Sequence, residues 1–214
     1  PENAAQAFDL ICKALTEDPN SSRAADAVIA AVGQGLDAGK AAETLRGALD
    51  RALSPAQSAK LGTALAHVAL AHLNDQTVAL EALRRARKRA PKHVGNLLAL
   101  ADVSNALGLH AEAVEAATSA LGISRDPAER LRASIALAEV HVRTPAFRDT
   151  ARREAKEAEK LAEQAGGGNG ELIGRLGAVF RLLGDEASAE RVLIQALMLG
   201  GDNSAALDNL VNMN

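Results

Sequence analysis

Six pairs of alanines, each pair seven residues apart, recur along the chain: Ala7/Ala14, Ala41/Ala48, Ala79/Ala86, Ala113/Ala120, Ala151/Ala158 and Ala189/Ala196. Successive pairs are offset by 34, 38, 34, 38 and 38 residues. Seven residues is close to two helical turns, so each pair shares one helix face. A repeat of this period is the signature of a solenoid, whose units bury their apolar faces only by stacking on one another. The pairs therefore mark the packed side of an array. They point to binding as its function and do not name the partner.

Between turn signals the chain runs in stretches of roughly 12 to 19 residues with helical periodicity. The signals include Asp18-Pro19-Asn20-Ser21, Gly33-Gln34-Gly35, Ser54-Pro55, Leu73-Asn74-Asp75, Ala90-Pro91, Leu107-Gly108, Asp126-Pro127, Thr144-Pro145, Leu183-Gly184-Asp185 and Gly200-Gly201-Asp202-Asn203. In Ala151 to Ala165, the residues Ala151, Ala155, Ala158, Ala162 and Ala165 line one face, and Arg152, Arg153, Glu154, Glu157, Glu159 and Lys160 fill the rest. The longer offsets are placed as an added turn after Pro55, another after Pro127, and the glycine run 166–170, a loose loop. Tyr and Trp are absent and aromatic content is 1%, which argues against strands. The only phenyl rings are Phe8, Phe147 and Phe180. A core of Ala and Leu then requires helices that approach closely.

The organisation expected over 1–214 is a single array: a half repeat at 1–21, full repeats at 22–59, 60–93, 94–131, 132–169 and 170–203, and the start of another at 204–214. Pro1 falls inside a repeat, so the chain is expected to be a segment of a longer protein. Formal net charge is −3 with a pI of about 6.0, which argues against broad affinity for nucleic acid, since that rests on phosphate neutralisation. Cys12 is the one cysteine, so no internal disulfide or cysteine zinc site forms. A lone thiol fits a reducing compartment, and the expected location is cytoplasmic. No apolar run approaches the ~20 residues of a membrane span.

The chain resembles the tetratricopeptide repeat family over nearly its whole length. Gly170 to Asn203 carries Leu176 and Gly177 at repeat positions 7 and 8, Phe180 at 11, Gly184 at the turn, then Ala189, Leu193 and Ala196. The repeat from Lys60 carries Ala79, Leu83, Ala86 and Pro91, and the first half repeat ends in Ala7, Ile11, Ala14 and Pro19. Ile29, His67 and Glu139 would fall at position 8, where the family places a small residue, and Ser104 would fall at position 11. The resemblance implies an all-α, right-handed α-solenoid of antiparallel helix pairs, in which helix A of each pair lines a concave groove.

Carrying the groove positions over gives Asp26, Gln34, Val68, His72, Leu98, Asp102, Asn105, Val140, Arg143, Glu171, Arg181 and Asp208. Asp26, Gln34, His72, Asp102, Asn105, Arg143, Glu171 and Arg181 are the expected partner-binding side chains, for a protein or peptide partner. Position 5 is Asp26, Ala64, Leu98, Ala136 and Gly174, with no Lys, so the carboxylate clamp by which one subgroup holds chaperone tails is missing.

Arg84, Arg85, Arg87, Lys88, Arg89, Lys92 and His93 form the sharpest charge cluster. The simpler account is that cations complement a helix carboxyl end; the functional account is an anionic partner. Interleaved aromatics for base stacking are missing. His67, His72, His93, His110 and His141 offer no pair at the spacing of helical metal ligands, and His67/His72 are expected to splay around their helix. No nucleophile elbow, phosphate loop or metalloprotease motif is present. The expectation is an interaction scaffold, not an enzyme, with no metal and no cofactor. Its repeat ends would allow self-association. Two alternatives are a helical-repeat RNA binder of the pentatricopeptide kind and a regulatory or recruitment region of a larger enzyme.

Overall fold

The computed structural model describes residues 2–165, 169–200 and 204–212. Among them the regular structure is entirely helical: α1 Glu2–Glu17, α2 Ser22–Gly33, α3 Ala38–Arg51, α4 Pro55–His72, α5 Gln76–Arg89, α6 Val94–Ala106, α7 His110–Ile123, α8 Pro127–Val142, α9 Arg148–Gln164, α10 Gly170–Leu183, α11 Glu186–Leu199 and α12 Ser204–Val211, with one short 3-10 turn at Pro145–Phe147.

The punctuation follows from side-chain chemistry. Ser21, Asp37, Ser54, Asp75, Asn169 and Asp185 each accept a backbone N–H three residues on, satisfying donors that the first helical turn leaves open. Pro55 and Pro127 occupy the first turns of α4 and α8, where no N–H is needed. His93 caps α6, its Nδ1 accepting the Asn96 N–H at 3.1 Å. Gly108 and Gly184 close α6 and α10 with φ of +72° and +76°. The residue after each donates back across the helix end, Leu109 to Ser104 O and Asp185 to Phe180 O.

The alanine pairs lie on α1, α3, α5, α7, α9 and α11. In the last five of these helices both alanines are no more than 1% exposed. In α1, Ala7 and Ala14 are exposed, because no described helix packs on that face. The offsets of 38 resolve into lengthened helices. α4 runs 18 residues and α8 runs 16, against 12 for α2 and 13 for α6. The third long offset differs from expectation. α9 continues to Gln164, six residues beyond Ala158, where every other helix of its set stops three residues after its second alanine. Most of the extra length is therefore helix. Gly166–Gly168, and likewise the turn residues 201–203, lie outside the described residues.

Two compact units divide the chain, 1–103 and 104–214, and the division falls within α6. In the first, α4 pairs with α5, α1 and α3 pack on α2, and α3 packs on α4. Its core includes Phe8, Leu15, Val28, Leu45, Leu49, Leu61 and Leu65. In the second, α8 pairs with α9 and α10 with α11, while α12 packs on α10 and α11. Its core includes Leu131, Ile135, Ile173, Leu176, Val179, Phe180 and Leu193.

Close approach depends on two glycines. A Cβ on Gly62 would lie 2.4 Å from the Ala86 Cβ, and one on Gly177 would lie 2.6 Å from Leu193. In α10 the expected small position is the crossing. In α4 the crossing uses Gly62 instead, and His67 is exposed. Ile29 and Glu139 are likewise only partly buried, beside the fully buried Val28 and Ala138.

Candidate binding surface

The expected groove side chains divide between the two units. In the first, Asp26 on α2 is held by Lys60 of α4 at 2.7 Å, and the same ammonium donates to Ser22. Gln34 follows α2 as an exposed cap residue whose N–H returns to Ala31 O. His72 is exposed near the end of α4, and its ring meets His67 edge-on at 6.2 Å, so the two histidines do not splay apart. Asp102 is half-buried on α6. Val68 and Leu98 are core residues, 0% and 3% exposed.

The second unit assembles a site. Asn105, at the end of α6, donates Nδ2–H to Glu139 Oε2 at 3.3 Å. Glu139 on α8 accepts Arg175 of α10 through both carboxylate oxygens, Nε to Oε1 and Nη2 to Oε2, each at 2.7 Å. The forked geometry fixes both side chains, and their partial burial strengthens the attraction while adding a desolvation cost. Beside this pair opens a cleft of about 270 Å³ between α8, α10 and α12. Gly170 and Gly174 contribute bare backbone, Ala178, Ala205 and Ala206 contribute methyl groups, and Glu139, Glu171, Arg175 and Asn209 contribute polar side chains.

Glu171 is thus the expected residue that lines the cleft, and Asn105 reaches it through Glu139. Arg143 and Arg181 are exposed near the ends of α8 and α10, away from the lining, and Val140 is buried. Asp208 is exposed on α12 and does not line it. Glu139, Arg175 and Asn209 were missed. The signal for Glu139 was present in its charge. A carboxylate where a small packed residue is expected means that this part of the helix turns another side to its neighbour.

Elsewhere in this unit, His141 Nδ1 lies 2.8 Å from Glu154 Oε2, and the His141 ring packs 5.4 Å from Phe147. Burial raises the Glu154 carboxyl above the usual carboxylate range, against the lowering effect of its His141 hydrogen bond. Among the described residues no cluster of three or more His, Cys, Asp or Glu side chains could hold a metal ion. No described helix is long and apolar enough to cross a membrane.

The basic cluster takes the simpler of its two roles in part. Arg85 pairs with Asp50 at 2.8 Å. Arg89 donates to the carbonyls of Leu49, Asp50 and Ala52, capping the carboxyl end of α3 as well as ending its own helix.

Consecutive antiparallel helix pairs with alanine-lined crossings define an α-solenoid protein. Its fold is that of the tetratricopeptide repeat proteins. No family model and no curated protein sequence matches the chain. Solved structures do. It is similar to pilF of Pseudomonas aeruginosa, with 18% identity, a TM-score of 0.63, and 94% of this chain and 82% of that one covered. It is similar to TTC0263, a thermophilic TPR protein of Thermus thermophilus, at 17% identity and a TM-score of 0.63, covering 92% and 97%. It is also similar to YrrB, described as a TPR protein with an unusual peptide-binding site, at 16% identity and a TM-score of 0.56, covering 93% and 96%.

Proposed function

We propose that the chain is a protein-interaction scaffold and that the cleft between α8, α10 and α12 holds an extended peptide or a helix of a partner. The observation that carries this is the composition of the cleft. Small side chains let a ligand backbone come close, and a fixed ion pair with two further polar side chains can orient it. The peptide-binding site of YrrB, a protein of the same fold, supports the assignment by analogy. No catalytic step is part of the proposal.

The test is selection from a random peptide display library, with binders mapped by amide chemical shifts. Shifts at Gly174, Ala178, Ala205 and Asn209, and loss of binding in Ala178→Arg, are expected. The absence of any binder that shifts these residues would contradict the assignment.

A further inference from the structure

We infer that the basic edge of the first unit, at the carboxyl end of α5, docks an acidic peptide carrying one bulky apolar residue. From 84 to 93 the chain carries Arg84, Arg85, Arg87, Lys88, Arg89 and Lys92 and no acid, although the whole molecule is at −3. Capping explains only part of this run. Arg89 is spent on three carbonyls, which fix its guanidinium without cancelling its charge. Lys88 and Lys92 are exposed, with no carboxylate partner among the described residues.

An open pocket of about 300 Å³ lies beside these cations. Its walls are Pro55, Ala56, Ala90 and Pro91, nearly all apolar surface, and Arg89, Lys92 and His93 complete the lining. Arg89 also lines a second depression with Lys88 and the Arg85–Asp50 pair, where three cations outnumber one carboxylate. Such a volume suits one side chain of leucine size, at the low end of ligand pockets. The flanking cations favour carboxylates on either side of it. His93 is the one aromatic ring in the lining, with no Phe, Tyr or Trp beside it to continue a base stack, and Phe8, the one phenylalanine of this unit, is buried at 3% exposure. A peptide therefore fits better than RNA. None of these residues lines the cleft between α8, α10 and α12, so the two assignments stand or fall separately.

The test is selection from a random nine-residue peptide display library on the Ala178→Arg variant, whose cleft is filled, followed by fluorescence polarisation on the selected peptides in that same background. Single-stranded oligouridylate and phosphatidylserine vesicles serve as further probes. Selected peptides should carry acidic residues around one Leu, Ile, Met or Phe. Their affinity should fall about tenfold in the double variant Lys88→Glu, Lys92→Glu, as two surface charge contacts become repulsive. It should fall similarly in Ala56→Gln, which occupies the pocket without changing charge. Lys88, Lys92 and Ala56 are all exposed, and unchanged circular dichroism should confirm folding. Selected peptides without acidic residues, full binding by either variant, or no selected peptide would overturn the proposal. So would oligouridylate or vesicles binding as tightly and being lost in the same double variant, because the edge would then attract any polyanion.

Discussion

A methyl group added to Gly62 would meet the Ala86 Cβ at 2.4 Å and the Ala82 carbonyl at 3.1 Å. Backbone cannot rotate away as a side chain can, so Gly62→Ala should destabilise by about 1–3 kcal/mol despite its gain in helix propensity. Gly47, also inside a helix, has nothing within 4 Å of its added Cβ. Gly47→Ala should stabilise by about 0.5–1 kcal/mol. Urea denaturation of the two variants checks the contrast, and equal effects would mean that α4 and α5 are not in close contact at Gly62.

Glu154 gives a pH signature. Its carboxyl is raised by burial, so the native state holds that proton more tightly than the unfolded chain does. Its contribution is fully present below the ordinary carboxylate pKa and is lost as pH rises through the raised value. Melting temperatures of wild type and Glu154→Gln should converge near pH 4, and the variant should gain on wild type toward about pH 7. A constant difference would place the carboxylate in a more solvated site.

At the scale of helices, Arg89 does what a lysine cannot. Its fork reaches three carbonyls at the end of α3, with N–O distances of 2.6, 2.9 and 3.1 Å. Arg89→Lys keeps the charge and should still cost about 1–3 kcal/mol in denaturant unfolding. Ion pairs that join one repeat to the next include Asp9–Lys40, Asp26–Lys60, Asp50–Arg85, Glu139–Arg175 and Glu159–Arg191. In each the acid comes first in the chain. The exposed ones among them contribute little energy apiece, but their common order sets like charge against like if a repeat stacks back to front.

The alanine-bearing helices were legible in the sequence because a seven-residue alanine pair tolerates no substitute of larger size at a tight crossing. The facing helices were harder. Counting eight residues from the start of a repeat works for Gly177, but α4 is longer, so the same count reaches the exposed His67 while Gly62 makes the crossing. The cleft was legible only through Glu171, since Arg175 and Asn209 become neighbours by packing across helices far apart in sequence.

For the whole molecule, the chain is two compact units, each with its own apolar core. Contacts in such an array are made between neighbouring elements, and stability is distributed along it. Damage should therefore remain local. In hydrogen–deuterium exchange, Gly62→Ala should speed exchange in α4 and α5 and leave α10 and α11 near wild-type rates. Uniform acceleration across all four helices would show that the units unfold as one.

The scarcity of rings has a practical consequence. With no tryptophan or tyrosine, the chain has almost no near-ultraviolet absorbance or intrinsic fluorescence of its own. A single indole is then an optical probe without background. Placed at Leu53, which is 87% exposed and precedes Ser54-Pro55, it would report on the basic edge. Placed at Asp208, exposed on α12 next to the lining residue Asn209, it would report on the cleft without replacing a lining side chain, so the two surfaces can be followed one at a time in the intact chain.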